Sequence, residues 1–170
     1  QLVSFCDDVM SRKGKDPVTV FWKAFGLGCS QGLERARREL DVFQNRRDLQ
    51  LPLTTALLYF AKREVHCDME YVRMLEAELS VAEEMAKDAG MVMTARFCQL
   101  VGDYNRASEL SQKILHACNG SPSTPFEIEA QTIDGWVAVS EGSLQMEMSS
   151  ASNSDDISTT VCRKLQAIDD

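Results

Sequence analysis

The stretch Gly102-Asp103-Tyr104-Asn105-Arg106-Ala107-Ser108-Glu109-Leu110-Ser111-Gln112-Lys113-Ile114-Leu115 decides the fold. Gly102 supplies the free φ that a tight turn needs, and Asp103 is a good cap for a new helix. Leu110 and Ile114 follow Ala107 at spacings of three and four, which sets all three on one helical face. Ala107 stands where two helices cross closely, because a larger side chain there would push them apart. The pattern is the second half of a helix–turn–helix repeat of the tetratricopeptide kind. One such unit cannot bury its own apolar face, so others must flank it.

They do. Pro17, Pro52, about Gly90 and Pro125 are the positions where successive pairs open, separated by 35, about 38 and about 35 residues. The period expected of this repeat is ~34, with insertions at turns. The second unit is the irregular one, because its second helix is about a turn longer. Before the first pair, Leu2, Val3, Phe5, Val9 and Met10 suit a short amphipathic helix that stops near Gly14. Asp16-Pro17 restarts the chain with an N-cap and a first-turn proline. The run Val18 to Leu27 is apolar on two sides. Leu33, Ala36, Leu40 and Phe43 then predict an amphipathic helix to about Asn45. Asp68 caps another, which carries Val72, Leu75, Leu79, Ala82 and Ala86. Met91, Ala95 and Cys98 lie on the helix before the opening stretch, and Ile133, Trp136 and Val137 on the one after it. Gly142 is expected to close that last helix. No segment alternates as a strand does, so the fold expected is all-α: a tetratricopeptide-repeat superhelix, an α-solenoid of antiparallel helix pairs. Residues 1–142 hold about three pairs with flanking helices, 143–156 read as a Ser-rich flexible loop, and 157–170 as a terminal helix bearing Ile157, Val161, Leu165 and Ile168.

Composition sets limits on function. A net charge of −8 argues against non-specific nucleic-acid binding and against anionic membrane surfaces. No apolar run approaches the ~18–20 residues of a spanning helix, so direct membrane insertion is not expected. Gln1 falls inside a helical pattern, so the chain reads as a piece of a longer one. The six cysteines are far apart, with no metal-ligand or redox spacing, and read as reduced thiols acting as small hydrophobes.

Catalytic signals are weak. Gly26-Leu27-Gly28-Cys29-Ser30-Gln31-Gly32 misses both phosphate-loop spacings and follows a helix, so it reads as a relaxed helix-to-helix turn. His66 and His116 lack companions at ligand spacing. Asp7-Asp8 and Glu83-Glu84 are neighbours that point apart on a helix. Cys29 and Ser108 have no base nearby in sequence. No enzyme, metal or cofactor is expected.

Candidate binding residues remain. Arg35, Arg38 and Arg46 belong to a basic cluster interleaved with acids, which serves either as a solvated, self-paired face or as a docking patch for an acidic partner. Helical solenoids present a concave groove built from the first helix of each pair, and Val92, Arg96 and Gln99 would face it. Trp22 and Trp136 are expected in the core with Ala36, Gly102 and Ala107 as structural positions. A peptide-clamping co-chaperone needs polar residues in the first pair, where Phe21 and Phe25 stand instead. Leu2, Phe5 and Val9 at one end, and Ile157, Val161 and Leu165 at the other, are expected to expose apolar faces that neighbouring repeats would cover.

One resemblance is more specific. Asp16-Pro17-Val18, Phe25-Gly26, Ala36, Arg38-Glu39-Leu40, Asn45, Asp48, Leu57-Leu58-Tyr59, Ala61-Lys62, Gly135-Trp136 and Gly142 occur in an order that resembles the intraflagellar transport protein 139 family. That family is the large tetratricopeptide-repeat subunit of intraflagellar transport complex A, and the resemblance covers roughly residues 14–142. It implies a non-enzymatic scaffold in the cilium or flagellum and at the basal body, on the cytoplasmic side, serving retrograde transport and cargo import. The partners it implies are the other complex A subunits, with complex B trains or cargo as further candidates. The alternative is a stand-alone tetratricopeptide-repeat adaptor or co-chaperone that binds a peptide in its groove.

Overall fold

The computed structural model describes residues 1–41, 46–117 and 124–148. Phe43, Asn45, the expected terminal helix at 157–170 and most of the Ser-rich stretch lie outside them. Among the described residues eight α-helices follow one another: α1 (Leu2–Lys13), α2 (Pro17–Gln31), α3 (Leu33–Leu40), α4 (Gln50–Ala61), α5 (Met69–Met85), α6 (Asp88–Val101), α7 (Tyr104–Ala117) and α8 (Pro125–Met148). A 3-10 turn, Arg47–Leu49, leads into α4. No strand occurs among the described residues. The chain divides into two compact bodies, residues 1–90 and 91–170.

Local chemistry explains the helix ends. Asp16 accepts a hydrogen bond from the Thr19 amide at 3.0 Å, and Pro17 occupies the first helical position, where no amide hydrogen is needed. Asp68 accepts from the amides of Glu70 and Tyr71 at the start of α5. At α8, the Thr124 amide donates to Glu127 Oε2 and the Glu127 amide donates to Thr124 Oγ1, a reciprocal capping box ahead of Pro125. Gly14 ends α1 at φ 83° and Gly102 ends α6 at φ 83°. After α6, Asp103 N–H reaches Cys98 O and Gly102 N–H reaches Gln99 O, the paired closure of a Schellman motif.

In the first body α2 packs on both α1 and α3, and α4 packs on α5. Lys23 of α2 joins its flanking helices, at 3.1 Å from Asp7 on α1 and 3.4 Å from Glu39 on α3. Leu58, Ala61, Val72 and Leu75 form a buried cluster that Leu33, Leu57, Tyr71 and Leu79 cover. The glycines of α2 do not loosen it. The helix runs unbroken through Gly26 and Gly28 to Gln31, and only Gly32, at φ 87°, makes the turn. A Cβ on Gly28 would lie 2.3 Å from the Phe60 ring, and one on Gly26 would lie 3.0 Å from Val3. These glycines let α4 and α1 approach α2, so the expected relaxed turn is instead a close-packing surface.

In the second body α7 packs on α8. Ala107, Leu110 and Ile114 on α7 are buried as their spacing requires, and so are Ala130, Ile133 and Val137 on α8. Three expectations fail here. Trp136 is 56% exposed rather than in the core, because Ile133 and Val137 already define the buried stripe and position 136 lies off it. Val92 is 3% exposed, so it belongs to the core and not to a groove. α6 is buried on nearly all sides, with Thr94 and Phe97 hidden as well. Gly142 does not close α8, which continues to Met148. A single helical glycine costs only ~1 kcal/mol, and the residues after it are compatible with helix.

Candidate protein-interaction surfaces

The helices of each body stack so that residues about one repeat apart meet. Phe25 and Phe60 place α2 beside α4, with ring centroids 6.1 Å apart. The Arg37 guanidinium lies 5.5 Å from the centroid of the Tyr71 ring and links α3 to α5. Glu64, just past α4, accepts from the Leu33 amide at 2.9 Å and so caps α3 from the neighbouring pair. Arg96 Nε on α6 is 2.9 Å from Glu129 Oε1 on α8. Within the first body α2 thus lines up with α4 and α3 with α5, and within the second α6 lines up with α8, the layering of helical repeats.

The basic cluster divides on inspection. Arg46 is held by Asp48 through two short contacts, Nη2 to Oδ2 at 2.6 Å and Nε to Oδ1 at 2.8 Å. Hydrogen bonding between them raises the Arg46 pKa and lowers that of Asp48. Arg37 stacks on Tyr71, whose hydroxyl is pushed up in pKa mainly by burial. Arg35 and Arg38 are exposed on α3, and no ion pair engages either among the described residues. They are three positions apart and so share a helix face. Arg35 and Arg38 thus keep their charge available to a partner, and Arg46 does not.

Beside that face, α3 is only eight residues long against seventeen in α5. An open cleft of about 270 Å³ lies between α3, α4 and α5, floored by Leu40, Leu53 and Leu75 and rimmed by Arg37, Asp41 and Glu78. Sequence reading passed over it. Arg37 and Tyr71 lie one repeat period apart, and that spacing was the available signal.

On α6, Arg96 is exposed and Gln99 half-buried, while the Arg96–Glu129 pair crosses to α8. The groove expected there reduces to these two residues. On α1, Leu2 and Phe5 are exposed, Phe5 at 66%, and Val9 is half-buried, whereas Cys6 faces inward. Trp22 is half-buried, edge-on to Phe21 and Phe25. Ser108 donates to Asp134 at 2.8 Å as a link between α7 and α8, so its hydroxyl is engaged in packing. Burial raises the pKa of Cys29. Among the described residues no three His, Cys, Asp or Glu side chains gather as metal ligands, and no helix is long and apolar enough to cross a membrane.

Comparison with known proteins agrees with this architecture. Residues 1–163 match the family described as tetratricopeptide repeat protein 21 N-terminal ARM repeat. The chain is 27% identical over 128 residues to human tetratricopeptide repeat protein 21A, covering 75% of this chain and 9% of that protein. It is 23% identical over 133 residues to human tetratricopeptide repeat protein 21B, covering 78% and 10%. With the Xenopus laevis 21B protein it shares 27% identity over 131 residues, covering 77% and 10%. The chain thus spans about a tenth of the length of the curated relatives it matches. The chain belongs to the tetratricopeptide repeat protein 21 family, in its N-terminal α-solenoid region, and this is the intraflagellar transport protein 139 family whose motif order it carries.

Proposed function

We propose that this region is a non-enzymatic protein-interaction scaffold within a subunit of intraflagellar transport complex A, serving retrograde transport and the import of ciliary cargo. Its place is the cytoplasmic side of the cilium or flagellum and the basal body. Its partners are the other complex A subunits, with complex B trains or cargo next. The observation that carries this reading is the family match over residues 1–163, joined to a stacked-helix body whose polar groups serve packing. The net charge of −8 favours protein partners over nucleic acid.

Within the scaffold, Arg35 and Arg38 on α3 are the docking patch for an acidic segment of a partner, and the neighbouring cleft takes an apolar side chain beside it. Arg96 and Gln99 on α6 are the residues we assign to the concave groove. The co-chaperone reading has no observation in its favour, since Phe21 is buried and Phe25 packs on Phe60 where a clamp would need polar groups. The test is purification of the full-length protein from ciliated cells. Complex A subunits should accompany it, and recovery of chaperones with none of those subunits would overturn the reading.

A further inference from the structure

α5 buries Val72, Leu75 and Ala82 but leaves a second apolar line in solvent. Met74, Val81 and Met85 are 47%, 57% and 54% exposed. With Glu78 between them they follow at spacings of four, three and four, which sets all four on one helical face. The line runs ~16 Å, three turns at ~1.5 Å per residue. At one end it opens into the cleft between α3, α4 and α5, because Met74 and Glu78 also line that cleft beside Leu53, Leu57 and Leu75. The result is an apolar track with one deep end.

Charge decides what fits there. α5 carries five glutamates, Glu70, Glu76, Glu78, Glu83 and Glu84, against the single Arg73. Lys62 takes up Glu76 at 2.8 Å, and no ion pair engages Glu78 among the described residues. On the cleft rim Arg37 is turned onto the Tyr71 ring, and Asp41 adds a further acid. The Tyr71 hydroxyl feels this balance. Burial raises its pKa most and Arg37 opposes, while Glu78, Asp41 and Glu34 each raise it further. A second copy of the chain would set glutamates against glutamates, and an acidic partner would be repelled in the same way.

We propose that this face of α5 docks a basic amphipathic helix of a partner protein. One of its apolar side chains enters the cleft, and its lysines or arginines lie against Glu78 and the acids beside it. Helix-in-groove recognition reads apolar anchors at this helical spacing, and the two methionines can conform to the anchors they meet. Arg35 and Arg38 do not line the cleft, so an acidic segment held by them is a separate contact. The proposal rests on the reading of that cleft as a seat for a partner's apolar side chain, and adds the class of segment that supplies it.

The test titrates the full chain against fluorescein-labelled synthetic peptides of leucine and lysine. One sets its leucines at the spacing of four, three and four, a second scrambles that order, and a third has glutamate for each lysine. The patterned basic peptide should bind at least about tenfold tighter than either comparison, and its lead over the acidic peptide should narrow as salt rises. Val81→Gln with Met85→Gln should weaken its binding by about tenfold. Glu78→Lys should weaken it and flatten its salt dependence, whereas Arg35→Glu with Arg38→Glu should not weaken it. These side chains are all exposed, so folding should be retained. On the unsubstituted chain the methyl signals of Met74 and Met85 should shift with the patterned peptide, a readout that needs no variant. Equal binding of the patterned and scrambled peptides would overturn the proposal. So would full affinity in the Val81→Gln, Met85→Gln protein, unmoved Met74 and Met85 signals, or an equal loss caused by Trp136→Gln on α8. The assay contains no complex A subunit, so its failure would sink this docking mode and leave the scaffold assignment to its own test.

Discussion

Gly28 on α2 lies directly under the Phe60 ring of α4, so that a Cβ at position 28 would stand 2.3 to 2.7 Å from three ring carbons. Phe60 is buried, with Phe25 and Tyr59 beside it, and cannot swing away. Gly28→Ala gains up to ~1 kcal/mol of helix propensity but overpacks the interface at a cost of ~1–3 kcal/mol. A net loss of about 1–2 kcal/mol in urea unfolding is expected. Combining it with Phe60→Leu should cost less than the two changes summed, since the shorter side chain makes room.

Glu64 tests the lateral link between pairs. Gly32 offers α3 no side-chain cap, and Glu64 provides the acceptor from 31 residues away. Glu64→Ala should lower stability by about 1 kcal/mol, and Glu64→Gln by less because its carbonyl still accepts. Denaturant midpoints of the two variants distinguish these outcomes.

Gly102 isolates backbone strain from packing. Its φ is 83° and a Cβ there would meet nothing within 4 Å. Gly102→Ala should therefore cost ~1–2 kcal/mol through the left-handed conformation alone, and Gly102→Asn less, since asparagine tolerates that region. Thermal unfolding of the pair reads the difference.

The thiols predict a labelling pattern and a pH dependence. Cys29 and Cys67 are exposed, whereas Cys6 and Cys98 are buried. A thiol reagent should modify the exposed pair in the native protein and reach the buried pair only on unfolding. Burial, with Asp103 adding to it, pushes the Cys98 pKa up from 9.0 to about 12. A raised folded pKa means the unfolded chain loses its proton first as pH rises. The stability from the neutral buried thiol is thus full below pH 9 and declines toward pH 12, by up to ~1.4 kcal/mol per pH unit. Cys98→Ala should remove that part of the alkaline slope in a series of unfolding curves.

Local chemistry was the part of this fold open to sequence reading. Asp16, Asp68 and Asp103 cap helices through amides two or three residues away, and Gly102 turns because its own φ requires it. The stripe Ala107, Leu110, Ile114 is a one-helix periodicity and needed no partner to be seen. The errors share a different cause. Gly26 and Gly28 look like turn residues until Val3 and Phe60 are known to lie against them, and Val92 looks like a groove residue until α6 is found enclosed. Trp136 looks like core because of its size, though the faces α8 gives to α7 and α6 leave it out. Arg46 counted as an available cation until Asp48, two residues on, proved to hold it. Contacts such as Arg37 on Tyr71 and Arg96 with Glu129 join residues about one repeat apart, so the period of ~34 was the clue that pointed toward them.

The measurement that bears most directly on the scaffold reading is quantitative recovery of complex A subunits with the full-length protein carrying Arg35→Glu and Arg38→Glu, set against the unsubstituted protein. Both arginines are exposed and unpaired among the described residues, so folding should be unaffected, as circular dichroism would verify. Recovery of at least one subunit should fall severalfold, with the loss also seen at high salt on the unsubstituted protein because the contact is ionic. Unchanged recovery of every subunit would contradict the docking patch. Absence of complex A subunits from the unsubstituted protein would contradict the scaffold assignment itself.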